Sequence, residues 1–241
     1  MSGIKRILGD IRRADQDYQM IQPGDRIAVG VSGGKDSLLL LRALSIYRNF
    51  APNPFELSAI TVTTGLQPFN LSGVKKMCDE LNVPYYVIPT QIGKIVFEER
   101  KEPNPCALCA KMRRGALANA CRENGINKLA LGHHRDDAIE TLLMSLLFEG
   151  RFHTFQPVTL LDKTEIAVIR PLIYSSEKQI LALVRKMNLP VVESPCPVNH
   201  HTKREEMKQL MNALCKQYPN ARSQILSALK NDAQYSLWNK E

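Results

Sequence analysis

The chain is poor in aromatic residues, with a single tryptophan and 6% Phe, Trp and Tyr together. Broad stacking on single-stranded nucleic acid is therefore not signalled. It has no apolar run approaching the roughly 20 residues of a membrane-spanning helix. Its opening, Met1-Ser-Gly-Ile-Lys-Arg-Ile-Leu-Gly-Asp10, is charged from the start and lacks the apolar centre of a signal peptide. Together these absences predict a cytoplasmic protein with no membrane partner. Six cysteines in 241 residues are too few for a disulfide scaffold; in a reducing compartment they point to metal, redox or packing roles. There is no internal repeat and no low-complexity segment. Acidic residues are in deficit, 24 against 32 lysines and arginines, for a formal charge of +8. That balance fits a polyanionic partner such as RNA, although a generic soluble surface explains it equally well. The length suits one α/β domain with a full core and a small appendage.

What the chain does have is Arg26-Ile-Ala-Val-Gly-Val-Ser-Gly-Gly-Lys-Asp-Ser-Leu-Leu-Leu-Leu41. It reads as a buried strand, Ile27 to Val31, a glycine turn, and a helix opening near Asp36. Gly33 and Gly34 allow a tight turn that brings backbone N–H groups to a ligand. Ser32 and Ser37 add hydroxyls, Lys35 a cation, and the helix N-terminus a partial positive charge. This is an anion nest for a phosphate or pyrophosphate. The Walker pattern fails, because Val29 stands at its first glycine and Asp36 follows the lysine. The dinucleotide fingerprint fails at Val31-Ser32. Ser32-Gly33-Gly34-Lys35-Asp36-Ser37 instead resembles the PP-loop of the N-type ATP pyrophosphatases. The resemblance implies cleavage of ATP between its α and β phosphates, adenylation of a substrate and release of pyrophosphate. Six matching residues between a strand and a helix weigh against an ordinary glycine turn.

Taken in order, residues 4 to 18 carry a helical stripe of Ile4, Ile7, Leu8, Ile11 and Tyr18. Lys5, Arg6, Arg12 and Arg13 lie off that stripe and suit either RNA contact or a solvated face. Strands are predicted at 56–64, 85–90, 128–131 and 168–173, alternating with helices at 71–81, 106–121, 138–148 and 176–188. That alternation predicts a parallel α/β sheet with right-handed crossovers. Residues 91 to 105 look mixed and end in the helix-stopping Pro103-Asn104-Pro105. Thr202-Lys-Arg-Glu205 fits a capping box for a helix from Lys203, followed by a helical C-terminal stretch.

Two further constellations carry chemistry. Gly132-His133-His134-Arg135-Asp136-Asp137 lies between a strand end and a helix start, the edge where open α/β sheets bind ligands. Asp136 and Asp137 suit a Mg²⁺ bridging ATP oxygens; the plainer alternative is that they cap the helix. Thr61, near the end of the second strand, should reach the same edge. The other constellation is sulfur. Cys106 and Cys109 have C-x-x-C spacing, and Cys196 sits between Pro195 and Pro197. A [4Fe–4S] cluster, a zinc ion with His200 or His201, and a redox or persulfide pair beside Lys111, Arg113 and Arg114 all fit this spacing. Cys78, Cys121 and Cys215 fall on apolar helical stripes and read as core thiols.

The succession of PP-loop, Cys106-x-x-Cys109 with Arg113-Arg114-Gly115, Gly-His-His-Arg-Asp-Asp, Ile169-Arg170-Pro171-Leu172 and a late Pro195-Cys196 resembles the tRNA 2-thiocytidine synthetase family across roughly residues 5 to 210. The resemblance implies a [4Fe–4S] cluster on Cys106, Cys109 and Cys196, ATP with Mg²⁺, an anticodon-loop cytidine of tRNA as substrate, and a homodimer. The chain departs from many members in having Pro197, Val198 and Asn199 after Cys196 rather than a second C-x-x-C. It also lacks the flanking zinc-finger pairs typical of the related 2-thiouridine synthetases.

The expectation is therefore an N-terminal helix over 1–22, a Rossmann-like, adenine nucleotide α-hydrolase-like PP-loop domain over 23–195, and a helical C-terminal extension over 196–241. Ser32 to Ser37, Thr61, Gly132, His133, Asp136 and Asp137 would bind ATP. Lys35 would neutralise the leaving pyrophosphate, Asp137 or Asp136 position the metal, and Arg113 or Arg114 contact phosphate or the target nucleotide. The sulfur donor would be sulfide or a persulfide-carrying desulfurase. The rival functions are 2-thiouridine synthesis with the same machinery and a non-catalytic Fe–S or zinc RNA-binding sensor.

Overall fold

The computed structural model describes residues 2–66, 69–100, 105–192 and 203–231. They group into two compact units, one drawn from 1–134 and 156–199, the other from 135–155 and 200–241. Among the described residues no helix is long and apolar enough to cross a membrane.

The first unit is built on a six-stranded sheet of β1 (Asp25–Gly30), β2 (Phe55–Thr63), β3 (Tyr85–Pro89), β4 (Lys128–Ala130), β5 (Val158–Leu161) and β6 (Ile166–Ile169), in the order β3-β2-β1-β4-β6-β5. β1 is central, parallel to β2 on one side and β4 on the other, with Val29 opposite both Ala59 and Ala130. Ile27, Ala28 and Val29 are fully buried, as a strand covered on both faces demands. The chain steps outward from β1 to β2 and β3, then returns across β1 to β4. That reversal makes a switch point between β1 and β4, and ligands of open α/β sheets bind outside the carboxyl ends there.

The helices of this unit are α1 (Ser2–Tyr18), α2 (Lys35–Tyr47), α3 (Ser72–Glu80), α4 (Ile92–Lys94, running on as a π-turn over Ile95–Glu99), α5 (Pro105–Glu123) and α7 (Glu177–Lys186). Leu38, Leu39, Leu40 and Leu41 of α2 are all at zero exposure, so this helix is enclosed on every side. Each leucine contributes about 1.5–3 kcal/mol by leaving water. The α1 stripe also faces inward, with Ile7, Ile11 and Ala14 buried. Asp15 accepts from the Ile21 amide at 2.9 Å and the Tyr47 hydroxyl at 2.8 Å, tying α1 to α2.

Three details differ from expectation. The strand foreseen over 168–173 stops at Ile169. The Arg170 amide turns to the Pro157 carbonyl at 3.0 Å, and Pro171 has no N–H with which to extend the ladder. β5 was not foreseen: it pairs antiparallel with β6, so the sheet is mostly rather than wholly parallel. The β5–β6 turn needs Glu165 at φ 57°, a residue type that does not announce a tight turn. The stretch 91–105, expected to be mixed, is helical from Ile92 to Glu99.

The second unit contains α6 (Arg135–Met144, continuing as a π-turn over Ser145–Glu149), α8 (Lys203–Gln217) and α9 (Ala221–Leu229). Gly150, at φ 61°, ends the π-turn. Arg222 of α9 organises the unit: Nη1 donates to Cys215 Sγ at 3.1 Å, Nη2 to Asn212 Oδ1 at 2.7 Å, and Nε lies 3.0 Å from Asp136 Oδ1. α8 begins at Lys203 as expected, while its foreseen cap Thr202 lies outside the described residues.

Candidate active site

The sequence forms a loop at the carboxyl end of β1 because glycine is required there. Gly33 sits at φ 80°, and a Cβ on it would come within 2.9 Å of the Phe69 ring and 3.3 Å of Val192 Cβ. Internal hydrogen bonds hold the turn. Ser37 Oγ accepts from the Ser32 amide at 3.1 Å and donates to the Gly34 carbonyl at 2.9 Å. Ser32 Oγ accepts from the Gly34 amide at 3.3 Å and lies 3.2 Å from Ser37 Oγ. Gly34 is the N-cap of α2, so the first-turn amides, Lys35 and Asp36 among them, have no carbonyl within the helix. The nest is preformed.

Lys35 Nζ lies 2.9 Å from Asp36 Oδ2 and 3.2 Å from Glu177 Oε1. Burial pulls its pKa down, but the two carboxylates outweigh it and hold the ammonium above the ordinary lysine value. Asp36 Oδ1 is buried without a hydrogen-bond partner. His134 Nε2 is 3.7 Å away, too far for a hydrogen bond. A hard cation is the natural complement of such an oxygen.

Gly132 belongs to the same place. A Cβ there would meet the backbone of α2 at 3.0 Å from Asp36 C and from Ser37 N. The exit of β4 thus lies against the first turn of the PP-loop helix. His133 follows at half burial and His134 is buried. Thr61 is fully buried beneath the loop: its hydroxyl donates to the Val31 carbonyl at 2.8 Å and accepts from Tyr85 at 2.8 Å. It props the loop strand.

Cys106 and Cys109 occupy the first turn of α5, which opens with Pro105 at the position best suited to that residue. Cys106 is exposed and Cys109 half-buried. Cys109 packs with Leu108 and Met112 on an apolar cluster of Val62, Ile92 and Val96. Spacings of three and seven place Cys106, Cys109 and Arg113 on one face of the helix. Because α5 returns the chain to parallel β4, its N-terminus lies at the carboxyl edge of the sheet, the edge that carries the PP-loop. Arg114 is exposed; burial first, and then Arg114, push the buried Arg170 down to about 10. Cys196 lies outside the described residues. Among the described residues, the Val192 amide donates to the Gly33 carbonyl at 3.0 Å.

In the second unit, Asp137 Oδ1 accepts from Arg204 Nη1 at 2.9 Å, and Asp136 pairs with Arg222. Both carboxylates thus have arginine partners. Sequence reasoning missed these arginines, since 67 residues separate Arg204 from Asp137 and no local pattern joins them. It also missed Glu177. The signal there was present: Ser176-x-x-Gln179 forms a capping box, which fixes Glu177 at the start of α7, beside Lys35.

A family model described as a PP-loop domain matches residues 8–214. A protein of Pelobacter propionicus named tRNA-cytidine(32) 2-sulfurtransferase is 40% identical over 230 residues, covering 94% of this chain and 86% of its own. One of the same name from Geobacter sulfurreducens is 39% identical, covering 94% and 90%. Among solved structures, the U34-tRNA thiolase NcsA from Methanococcus maripaludis with its [4Fe-4S] cluster superposes with a TM-score of 0.79 at 25% identity, over all of this chain and 83% of that one. An NH3-dependent NAD synthetase from Campylobacter jejuni, at 17% identity and a TM-score of 0.52, shares the fold. Relatives named as enzymes count against the sensor reading, and the shared name specifies cytidine. The chain belongs to the tRNA-cytidine(32) 2-sulfurtransferase family of PP-loop proteins.

Proposed function

We propose that this protein is an ATP-dependent tRNA sulfurtransferase of the cytoplasm that converts cytidine 32 of the anticodon loop to 2-thiocytidine. The observation that carries the reading is the preformed phosphate nest of Ser32 to Ser37 at the same sheet edge as the cysteine-bearing start of α5. The nest amides and the Lys35 ammonium neutralise charge on the pyrophosphate leaving group. Asp36, with its unpartnered buried oxygen, would serve as a ligand of Mg²⁺, which would neutralise charge on the ATP phosphates; Asp136 or Asp137 would be the alternative ligand. The C2 oxygen of cytosine is a poor leaving group. It attacks the α-phosphate of ATP and pyrophosphate departs. Sulfide sulfur then adds at C2, the C2–O bond breaks and the oxygen leaves with AMP. Arg113, on the face of α5 that carries both cysteines, contacts phosphate or the target nucleotide.

Cys106 and Cys109 share one helical face at a helix N-terminus, which fits them as two thiolate ligands, with Cys196 as the third. These three thiolates would hold a [4Fe–4S] cluster, which would supply an iron able to bind sulfur. The sulfur comes from sulfide, or from a persulfide-carrying desulfurase whose outer sulfur a thiol reductant releases as sulfide, and the working form is a homodimer.

The test is the visible spectrum of protein purified without oxygen, with iron and sulfide analysis. A broad thiolate-to-iron band that is lost in Cys106→Ser, Cys109→Ser and Cys196→Ser supports the ligand set. A colourless, zinc-bearing protein under those conditions overturns it.

A further inference from the structure

Helix α1 carries Asp10, Asp15 and Asp17 and α7 carries Glu177, and all four carboxylates are engaged by the protein itself. Asp15 is buried and holds the Ile21 amide and Tyr47. Asp10 accepts from Ser175 Oγ at 3.1 Å, Asp17 from the Tyr174 hydroxyl at 2.7 Å, and Glu177 lies against Lys35. Of the cations of the same helices, Lys5, Arg6, Arg12 and Arg13 of α1 and Lys178, Arg185 and Lys186 of α7 are all exposed, as is Asp17. Among the described residues only Arg13 of these has a carboxylate within ion-pair distance, Asp17 at 3.7 Å.

The cations are also aligned. Seven residues make nearly two helical turns, so Lys5 with Arg12 and Arg6 with Arg13 form two adjacent rows. Those rows lie opposite the buried stripe of Ile7, Ile11 and Ala14. α7 packs along α1 in the opposite sense. Gly3 meets Leu183, whereas Asp10 and Asp17 meet Ser175 and Tyr174. Arg185 and Lys186, just past Leu183, therefore belong to the end of α7 nearest the start of α1. At its other end α7 starts at Glu177, in contact with Lys35 of the PP-loop.

We propose that the outer face of the α1–α7 pair is an RNA-binding surface that grips the sugar-phosphate backbone of the tRNA whose nucleotide reacts at the PP-loop. The inference rests on the tRNA sulfurtransferase reading above and adds where the substrate lies. Rows of cations of which, among the described residues, all but Arg13 lack a carboxylate partner suit regularly spaced phosphates, each neutralised with release of a counterion. The face carries no exposed aromatic for stacking on bases, so it holds RNA by charge and leaves recognition of the cytidine to the site.

The probe is an unmodified tRNA transcript, its affinity for the full-length protein measured across a salt series. Two double variants are compared with the unsubstituted protein: Lys5→Gln with Arg12→Gln, and Arg185→Gln with Lys186→Gln. Lys75→Gln with Lys76→Gln, on exposed positions of α3, is the control. Each surface pair should weaken binding severalfold and reduce the slope of log K against log salt by about 1–2, near the 0.7–0.9 expected per phosphate contact. ATP binding and the unfolding temperature should not move. Unchanged slopes in both surface variants, no binding by the unsubstituted protein, or an equal loss in the α3 control would overturn the proposal. Binding of anionic lipid vesicles with the same dependence on these residues, in place of tRNA, would also overturn it. The two readings fail separately: unchanged slopes in a protein that still thiolates tRNA sink this surface alone. Loss of binding in variants of a protein that makes no 2-thiocytidine sinks the assigned reaction.

Discussion

Replacing Gly132 by alanine adds one methyl group at the contact between the end of β4 and the first turn of α2. Its carbon would lie 3.0 Å from both Asp36 C and Ser37 N and 3.2 Å from Asp36 O. All three are backbone atoms of the phosphate nest and cannot rotate aside as a side chain would. Either the β4 exit or the α2 N-terminus must move by several tenths of an ångström. Overpacking of this kind costs about 1–3 kcal/mol, which for a chain of this length lowers the unfolding temperature by about 2–12 °C. The amides and Lys35 move with the helix, and misplacement of a catalytic group by 1 Å costs about a hundredfold. A fall of about tenfold in kcat/KM for ATP is therefore expected at temperatures where the variant stays folded. Gly9→Ala is the control: it lies inside α1 with nothing within 4 Å of the added carbon and should gain about 0.5–1 kcal/mol. Thermal unfolding and steady-state pyrophosphate release measure both quantities. Native stability together with native ATP kinetics in Gly132→Ala would refute the claim that β4 sets the position of the nest.

Asp15→Ala removes the acceptor of the buried Tyr47 hydroxyl and of the Ile21 amide. It should cost about 1.5–3 kcal/mol per lost charged bond, read as a lower urea midpoint, while Tyr47→Phe in the Asp15→Ala background should cost little more. In cluster-free protein, exposed Cys106 should alkylate first. Cys78 and Cys121 are buried, with pKa values pushed up by burial to about 11 and about 12, so they should resist until the chain unfolds; mass spectrometry after a timed pulse decides the order. Lys35, Tyr47 and Tyr174 all have folded pKa values above their ordinary ones. The folded chain therefore binds protons more tightly than the unfolded chain, and stability from these groups is complete below about pH 10 and declines progressively as pH rises from there through the raised folded values. Urea midpoints at pH 8, 10 and 11 should fall at the last, and a rise there would contradict the assignment.

The sheet and its loop were legible because their signals are local. The apolar run Ile27 to Val29, the pair Gly33-Gly34 and the leucines Leu38 to Leu41 each dictate their own conformation. Gly132 was legible as a motif, but its reason, the approach of β4 to the Asp36 backbone, exists only in three dimensions. β5 escaped notice because an edge strand of four residues has no room for a periodic pattern. Glu177, Arg204 and Arg222 escaped because each acts on a partner far along the chain. The bonds of Asp10, Asp15 and Asp17 to Ser175, Tyr47 and Tyr174 also needed the structure: from sequence, acids and bases on α1 merely intermix.

The reaction assigned to this chain places sulfur on C2 of a tRNA cytidine at the expense of ATP. The direct measurement is nucleoside mass spectrometry of an unmodified tRNA transcript after incubation, without oxygen, with the reconstituted protein, ATP, Mg²⁺ and sulfide. 2-Thiocytidine should appear at position 32, should require ATP, and should vanish in Lys35→Ala and in each of Cys106→Ser, Cys109→Ser and Cys196→Ser. Undiminished 2-thiocytidine in those variants, or 2-thiouridine in place of 2-thiocytidine, would contradict the account.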